Sequence, residues 1–170
     1  MSATIRFENA SDASDASAVS HVIEVAFRGH PHSDGSEPRI VSRLRQEGDL
    51  TISLLAEQDN RVVGHIAFSP VSMNPQTLGW YGLGPVAVLP AHQSRGIGTA
   101  LVLRGLSELE AIGAIGCVVF GNLAFYGRFG FKSYPNLVYP HGPKELFHAK
   151  VFGGAVPNGT VTYSSAFGAA

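Results

Sequence analysis

The sequence predicts a mixed α/β fold, one central sheet with helices on both faces, in the order β-α-α-β-β-β-α-β-α-β-β. Three observations lead there. Apolar runs of strand length alternate with segments whose apolar residues recur at helical spacing. Two strand-like runs flank the turn residues "QDN", as a hairpin does. A glycine-rich stretch, "QSRGIG", joins a run ending "VAVLP" to an amphipathic helix, which is the middle of a β-α-β unit.

Taken in order, "TIRFENA" is a short strand and its exit. "SDASDASAVSHVIEVAFRG" follows, with Ser11 or Asp12 as N-cap, Val19, Val22, Ile23 and Ala26 on one face, and Gly29 as the stop. "HPHSDGSEP" is a turn-rich loop, and "EPRIVSRLRQEG" a second helix with Ile40, Val41 and Leu44 on one side and Gly48 ending it. "TISLLAE" and "RVVGHIAFSPVSM" form the hairpin. "LGWYGLGPVAVLP" is a further strand, and Gly82, Gly84 and Pro85 in its middle mark a bulge or a close approach by another backbone. In the next helix Val102, Leu106 and Leu109 centre an apolar face flanked by Leu101, Leu103 and Ile112, with Arg104, Ser107 and Glu108 opposite. "AIGCVVF" is a buried strand and "NLAFYGRFG" a short helix. "FKSYPNLVYP" and "KELFHAKVF" are late strands, followed by a Gly/Pro-rich tail to Ala170.

Composition bounds the function. The 170 residues are expected to form one domain, 1–170. A 45% apolar, 15% charged chain with mean hydropathy +0.13 is globular rather than disordered. A net charge of −1 carries no nucleic-acid footprint. The one cysteine, Cys117, excludes an intrachain disulfide and reads as a small buried hydrophobe. No secretory leader and no apolar stretch of membrane-span length is visible, so a soluble, cytoplasmic protein without membrane partners is expected.

The glycine turn is the informative motif. It lacks the lysine of a P-loop, and Leu101 stands where the dinucleotide fingerprint needs its third small residue. What remains is Gln-x-x-Gly-x-Gly, that is Gln93, Gly96 and Gly98, between a strand and a helix. Successive backbone N–H groups there can form an anion nest, and the helix adds about half a positive charge at its start. Arg95 adds a charge at the rim. The ligand this suits is a pyrophosphate; the alternative is an ordinary tight turn capping a core helix.

A second motif, "GNLAFYGRFGF", follows at residues 121–131. Together with "LGPVAVLPAHQSRGIGTALV" it resembles the GCN5-related N-acetyltransferases (the GNAT superfamily), and among them the YhbS-like bacterial subgroup. The late "VTYSSAF" is similar to that subgroup's ending. The resemblance implies acetyl-CoA as co-substrate and a small-molecule or peptide amine as acceptor, joined by direct attack in a ternary complex. It implies that the strand holding Val86, Ala87 and Val88 splays from its neighbour at Gly116–Phe120 and pairs with the pantetheine arm. Gln93, Ser94, Arg95, Gly96, Ile97, Gly98 and Thr99 would hold the pyrophosphate. Asn122, Phe125, Tyr126 and Arg128 would close the cofactor site from the other side. The backbone N–H of Val88 would face the thioester carbonyl, and Tyr126, matching the family's tyrosine near the sulfur, would act as general acid. The alternative is a catalytically weak acyl-CoA-binding sensor of the same fold.

The base and the acceptor stay open. Many family members use a glutamate near the fourth strand, but "GWYGLGPVAVLP" contains no acid. Water, His65, Glu24, His30 and His32 are the candidates. His65 alternates with apolar residues, as a satisfied sheet histidine does. His30 and His32 lack a third ligand, so no metal is expected. Trp80 and Tyr81 line the acceptor cleft or pack in the core. A polyamine, an aminoglycoside, an amino acid and a protein N-terminus all remain as acceptors, with the acceptor side assigned to residues 27–38, 73–82 and the late strands. Exposed late strands could pair in a homodimer.

Overall fold

The structure, a computed structural model, describes residues 2–31, 33–73 and 78–168. The predicted first half appears with small shifts at the ends. Strand β1 (Thr4–Phe7) leads to α1 (Ala13–Phe27), whose N-cap Asp12 accepts from the Ser14 amide. Helix α2 (Glu37–Glu47) stops at Gly48, at φ 76°, a left-handed position that glycine adopts without a Cβ clash. Strands β2 (Ile52–Gln58) and β3 (Arg61–Met73) form the hairpin; β4 (Trp80–Val88), α3 (Ile97–Ala111), β5 (Gly116–Phe120) and α4 (Leu123–Tyr126) follow.

The sheet runs β1-β2-β3-β4-β5-β7, with β7 at Phe147–Val151. All neighbours are antiparallel except β4 and β5, which α3 joins as a parallel pair. Helix α3 lies on the face carrying Gly64, Ile66 and Phe68. A Cβ on Gly64 would come within 3.1 Å of Leu101, and one on Gly105 would overlap the Phe68 ring, so both glycines permit close packing. Helix α1 packs by Val19, Val22 and Ile23 into the same larger apolar cluster. A smaller cluster of Val71, Trp80, Val118, Leu137, Phe147 and Val161 fills the far end of the sheet.

Three expectations need correction. The tail is not all loop: β8 (Gly159–Tyr163) pairs with the last residues of β3, Val71–Met73, and in parallel with β6 (Leu137–Val138). Its partners lie far away in sequence, and its short run sits among glycines and prolines. The strand expected over 131–140 shrinks to β6 and one bridge at Lys132, because a turn from Tyr134 to Leu137 through Pro135 breaks it. Leu103 and Ile112, expected on the apolar face of α3, are exposed; the buried face centres on Leu101, Gly105 and Leu109, since only one side of the helix meets the sheet.

Candidate active site

The site begins where β4 leaves β5. The two strands pair from Trp80–Gly116 to Leu83–Val119 and no further. Beyond Leu83, Gly84 and Pro85 stand against the single residue Ala67 of β3, a bulge that re-aims the strand. Val86 to Val88 then stay paired with β3 alone. Gly64 and Val88 are opposite each other, and the Leu89 N–H donates to Val63 O at 2.8 Å. That makes Gly64–Val88 a non-hydrogen-bonded pair, so the N–H and C=O of Val88 point away from β3. The Gln93 side-chain amide, donating to Val88 O at 3.0 Å, agrees with that direction.

The turn supplies the second wall. Ser94 (φ 63°) and Gly96 (φ 83°) are left-handed, with Arg95 between them, and the alternation turns successive amides toward one side. The first intrahelical bond of α3 is from the Ala100 N–H to Gly96 O at 3.0 Å, which leaves the amides of Ile97, Gly98 and Thr99 ahead of the ladder. The Gln93 amide behaves differently from expectation: it donates to Pro90 O at 3.3 Å, closing a short 3₁₀ turn. A Cβ on Gly98 would meet Val88 at 3.9 Å and Phe125 at 4.0 Å, so this glycine lies between the two walls.

The third wall is α4 and its exit. Arg128 donates to Thr99 Oγ1 at 3.2 Å and lies over the Phe125 ring, 4.9 Å from its centroid. Val86, Ala87, Val88, Gln93, Ser94, Gly96, Ile97, Gly98, Thr99, Phe125 and Arg128 line one cleft of about 560 Å³. His92 joins them, with a buried Nδ1 that has no hydrogen-bond partner. Sequence reasoning passed over His92, although it stands inside the quoted "AHQSRG". Arg95 is exposed outside the lining. Asn122 is also outside it, its side chain spent on capping α4 at Ala124 N, 2.7 Å away. The lining carries amides, a hydroxyl-bearing helix start, an imidazole and a guanidinium, and no carboxylate, a donor set that fits a diphosphate.

Tyr126 lies behind the lining, 9% exposed, edge-on to Phe125 at 4.9 Å and with its ring over Gly121. Burial pushes its phenol up to about 12, and the nearby Cys117 adds to the shift. Cys117 is fully buried, and burial raises its thiol well above the ordinary range, in keeping with a hydrophobe rather than a nucleophile. Trp80 is a core residue packed over Gly116, and Tyr81 is half-buried against the larger cluster.

The base candidates separate. His65 is fully buried on β3, and burial, with help from the Arg45 charge, pushes its imidazole down to about 3, so it stays neutral. Glu24 and His30 line a different hollow of about 340 Å³ with Phe27 and Glu37 at the end of α1. His32 lies outside the described residues, as do residues 74–77 of the expected acceptor side. Among the described residues no three His, Cys, Asp or Glu side chains group to hold a metal ion, and no helix is long and apolar enough to cross a membrane.

Comparison with known proteins agrees with this geometry. The family model described as "Acetyltransferase (GNAT) family" matches residues 18–131. An N-acetyltransferase of Escherichia coli K12, YhbS, is 38% identical over 111 residues, 65% of this chain and 66% of its own length. Just under two thirds of that relative is therefore matched. A GNAT acetyltransferase from Brucella melitensis, solved in complex with acetyl-CoA, is 45% identical with a TM-score of 0.86, covering 97% of both chains. The Escherichia coli YhbS structure, solved with CoA, is 30% identical with a TM-score of 0.83, over 98% of this chain and 92% of that one. Family model, sequence relative and solved structures converge on one assignment: this chain belongs to the GNAT acetyltransferase family.

Proposed function

We propose that the protein transfers the acetyl group of acetyl-CoA to a primary amine by direct attack, with both substrates bound together. The observation that carries this is the outward-facing edge of Val86 and Val88, released by β5 and running into an amide nest without a carboxylate in the lining. The relatives solved with acetyl-CoA and CoA support the choice of co-substrate. Acetyl-CoA supplies an activated thioester. Val86 and Val88 hold its pantetheine arm along their outward main-chain edge, with Ala87 between them paired back to His65 of β3. The amides from Ser94 to Thr99, with Gln93 and Arg95 at the rim, hold the diphosphate. Phe125 and Arg128 close the other side, on the short helix that Asn122 caps. The Val88 N–H donates to the carbonyl oxygen as charge builds there, a contribution of about two to three orders of magnitude where such donors have been removed. The Tyr126 O–H protonates the departing sulfur.

The acceptor is a small-molecule or peptide amine, the protein acts in the cytoplasm, residues 1–170 work as one catalytic domain, and a homodimer through the late strands completes the proposal. Isothermal titration with CoA and thiol release from acetyl-CoA with a panel of primary amines test the central reading. Saturable CoA binding and amine-dependent thiol release are expected. Failure to bind CoA overturns it, and binding without turnover across the panel would mark a sensor rather than an enzyme.

A further inference from the structure

His92 enters the cleft directly before the amide nest. It ends the 3₁₀ turn Pro90–His92 that carries the chain from β4 to Gln93, and its own N–H donates to Leu89 O at 2.8 Å. The next amide, of Gln93, closes onto Pro90 O, and Ser94 then turns left-handed at φ 63°. The backbone on both sides of His92 is thereby fixed. Its side chain belongs to the same lining as Val88 and the residues of the nest.

Most polar side chains of that lining are already committed. The Gln93 amide donates to Val88 O at 3.0 Å. Arg128 donates to Thr99 Oγ1 at 3.2 Å and to Phe125 O at 3.3 Å. Ser94 is exposed and meets water. His92 is half-buried, and its Nδ1 is shut off from water without a partner. Any hydrogen bond the ring makes therefore runs through Nε2. His65 gives the contrast: its Nδ1 is orphaned too, but Ser53 meets its Nε2 at 2.8 Å inside the core. Among the described residues no side-chain hydrogen bond engages the His92 ring. No carboxylate lines the cleft to receive one. A diphosphate only accepts hydrogen bonds, so a ring that meets it does so as the Nε2–H form.

We propose that His92 is a coenzyme-binding residue, its Nε2–H donating to a diphosphate oxygen of acetyl-CoA beside the amides from Ser94 to Thr99. This rests on the acetyl-CoA reading above. The main-chain donors come from the turn and the start of α3, and His92 adds one directed side-chain donor from the element before them. A hydrogen bond to an ionised acceptor is stronger than one between neutral groups, so this single ring carries a measurable share of the affinity.

Calorimetry with CoA and with dephospho-CoA on His92→Ala, His92→Phe and His92→Gln tests this. His92→Ala removes the ring, and His92→Phe keeps a ring without nitrogens. Both should weaken CoA binding by about tenfold or more. Dephospho-CoA, which keeps the diphosphate and lacks the 3′-phosphate, should weaken by the same factor. His92→Gln sets an amide N–H near the place of Nε2 and should bind CoA within about threefold of wild type. Melting temperatures without ligand should match wild type, because no side-chain hydrogen bond within the protein is lost. CoA affinity within threefold of wild type in either donor-less variant overturns the proposal. So does a loss seen with CoA and not with dephospho-CoA, or one that His92→Gln shares in full. If the donor-less variants do not fold, a crystal structure of the wild-type CoA complex decides. Nε2 within about 3.2 Å of a diphosphate oxygen supports the contact, and Nε2 on water or on the pantetheine arm overturns it. A folded wild type that binds no CoA strikes the cofactor assignment itself, and this contact falls with it.

Discussion

Tyr126 shows how one residue's chemistry depends on what surrounds it. A free phenol near pKa 10 matches a thiolate closely, but burial among Phe125, Phe129 and Phe131 pushes this one up to about 12. The phenol is thus protonated at neutral pH, and in the proposed reaction a sulfur departing into the same apolar surroundings would become more basic too. Tyr126→Phe should lower kcat by about a hundredfold while CoA affinity stays near wild type, read by thiol release and calorimetry side by side. Equal rates for the two proteins at every pH would remove the general-acid role. The sequence singled out Tyr126 by its place in "FYGRFGF", whereas nothing in "GTVTYSS" signals that Tyr163 lies over Gly82.

At the scale of elements, the glycine turn and the start of α3 form one wall of the cleft, and both were legible in "QSRGIG". The spacing of the glycines dictates the left-handed turn and the bare helix start. It does not dictate that Gln93 closes a turn onto Pro90 and spends its side chain on Val88, nor that His92 enters the lining. Gly98 provides the sharpest check. Because its Cβ position has ordinary spacing to Val88 and Phe125, Gly98→Val should fold but fill the space between the walls. CoA affinity should fall by about tenfold or more, with a melting temperature close to wild type. Unchanged CoA binding would place the cofactor elsewhere.

Across the molecule, a polar chain ties the first strand and the second helix to the sheet. Arg45 pairs with Glu8 at 2.9 Å, the Ser53 hydroxyl donates to Glu8 at 2.7 Å, and Ser53 Oγ lies 2.8 Å from His65 Nε2. Since Ser53 gives its only proton to a carboxylate, it must accept from His65, which fixes the Nε2–H tautomer and leaves Nδ1 buried without a donor. This has a consequence for pH. An unfolded histidine takes a proton near pH 6.5, whereas folded His65 does so only at about 3. Between those values the unfolded chain binds the extra proton, so stability is fully present above the upper value and declines as pH falls through the window. Urea midpoints measured from pH 7.5 down to 4 should drop, and His65→Gln should flatten that slope. An identical slope in the variant would assign the acid sensitivity to other groups.

The sequence by itself determined the element types, the hairpin, the glycine turn and the family motifs, because each is a local matter of periodicity, turn stereochemistry and helix-end amides. Only the tertiary structure decided that β8 exists, that His65 is held neutral and that the Tyr163 ring lies over Gly82. Those features arise from pairings between residues distant along the chain and from burial that removes water, and neither leaves a periodic trace in the residues that take part.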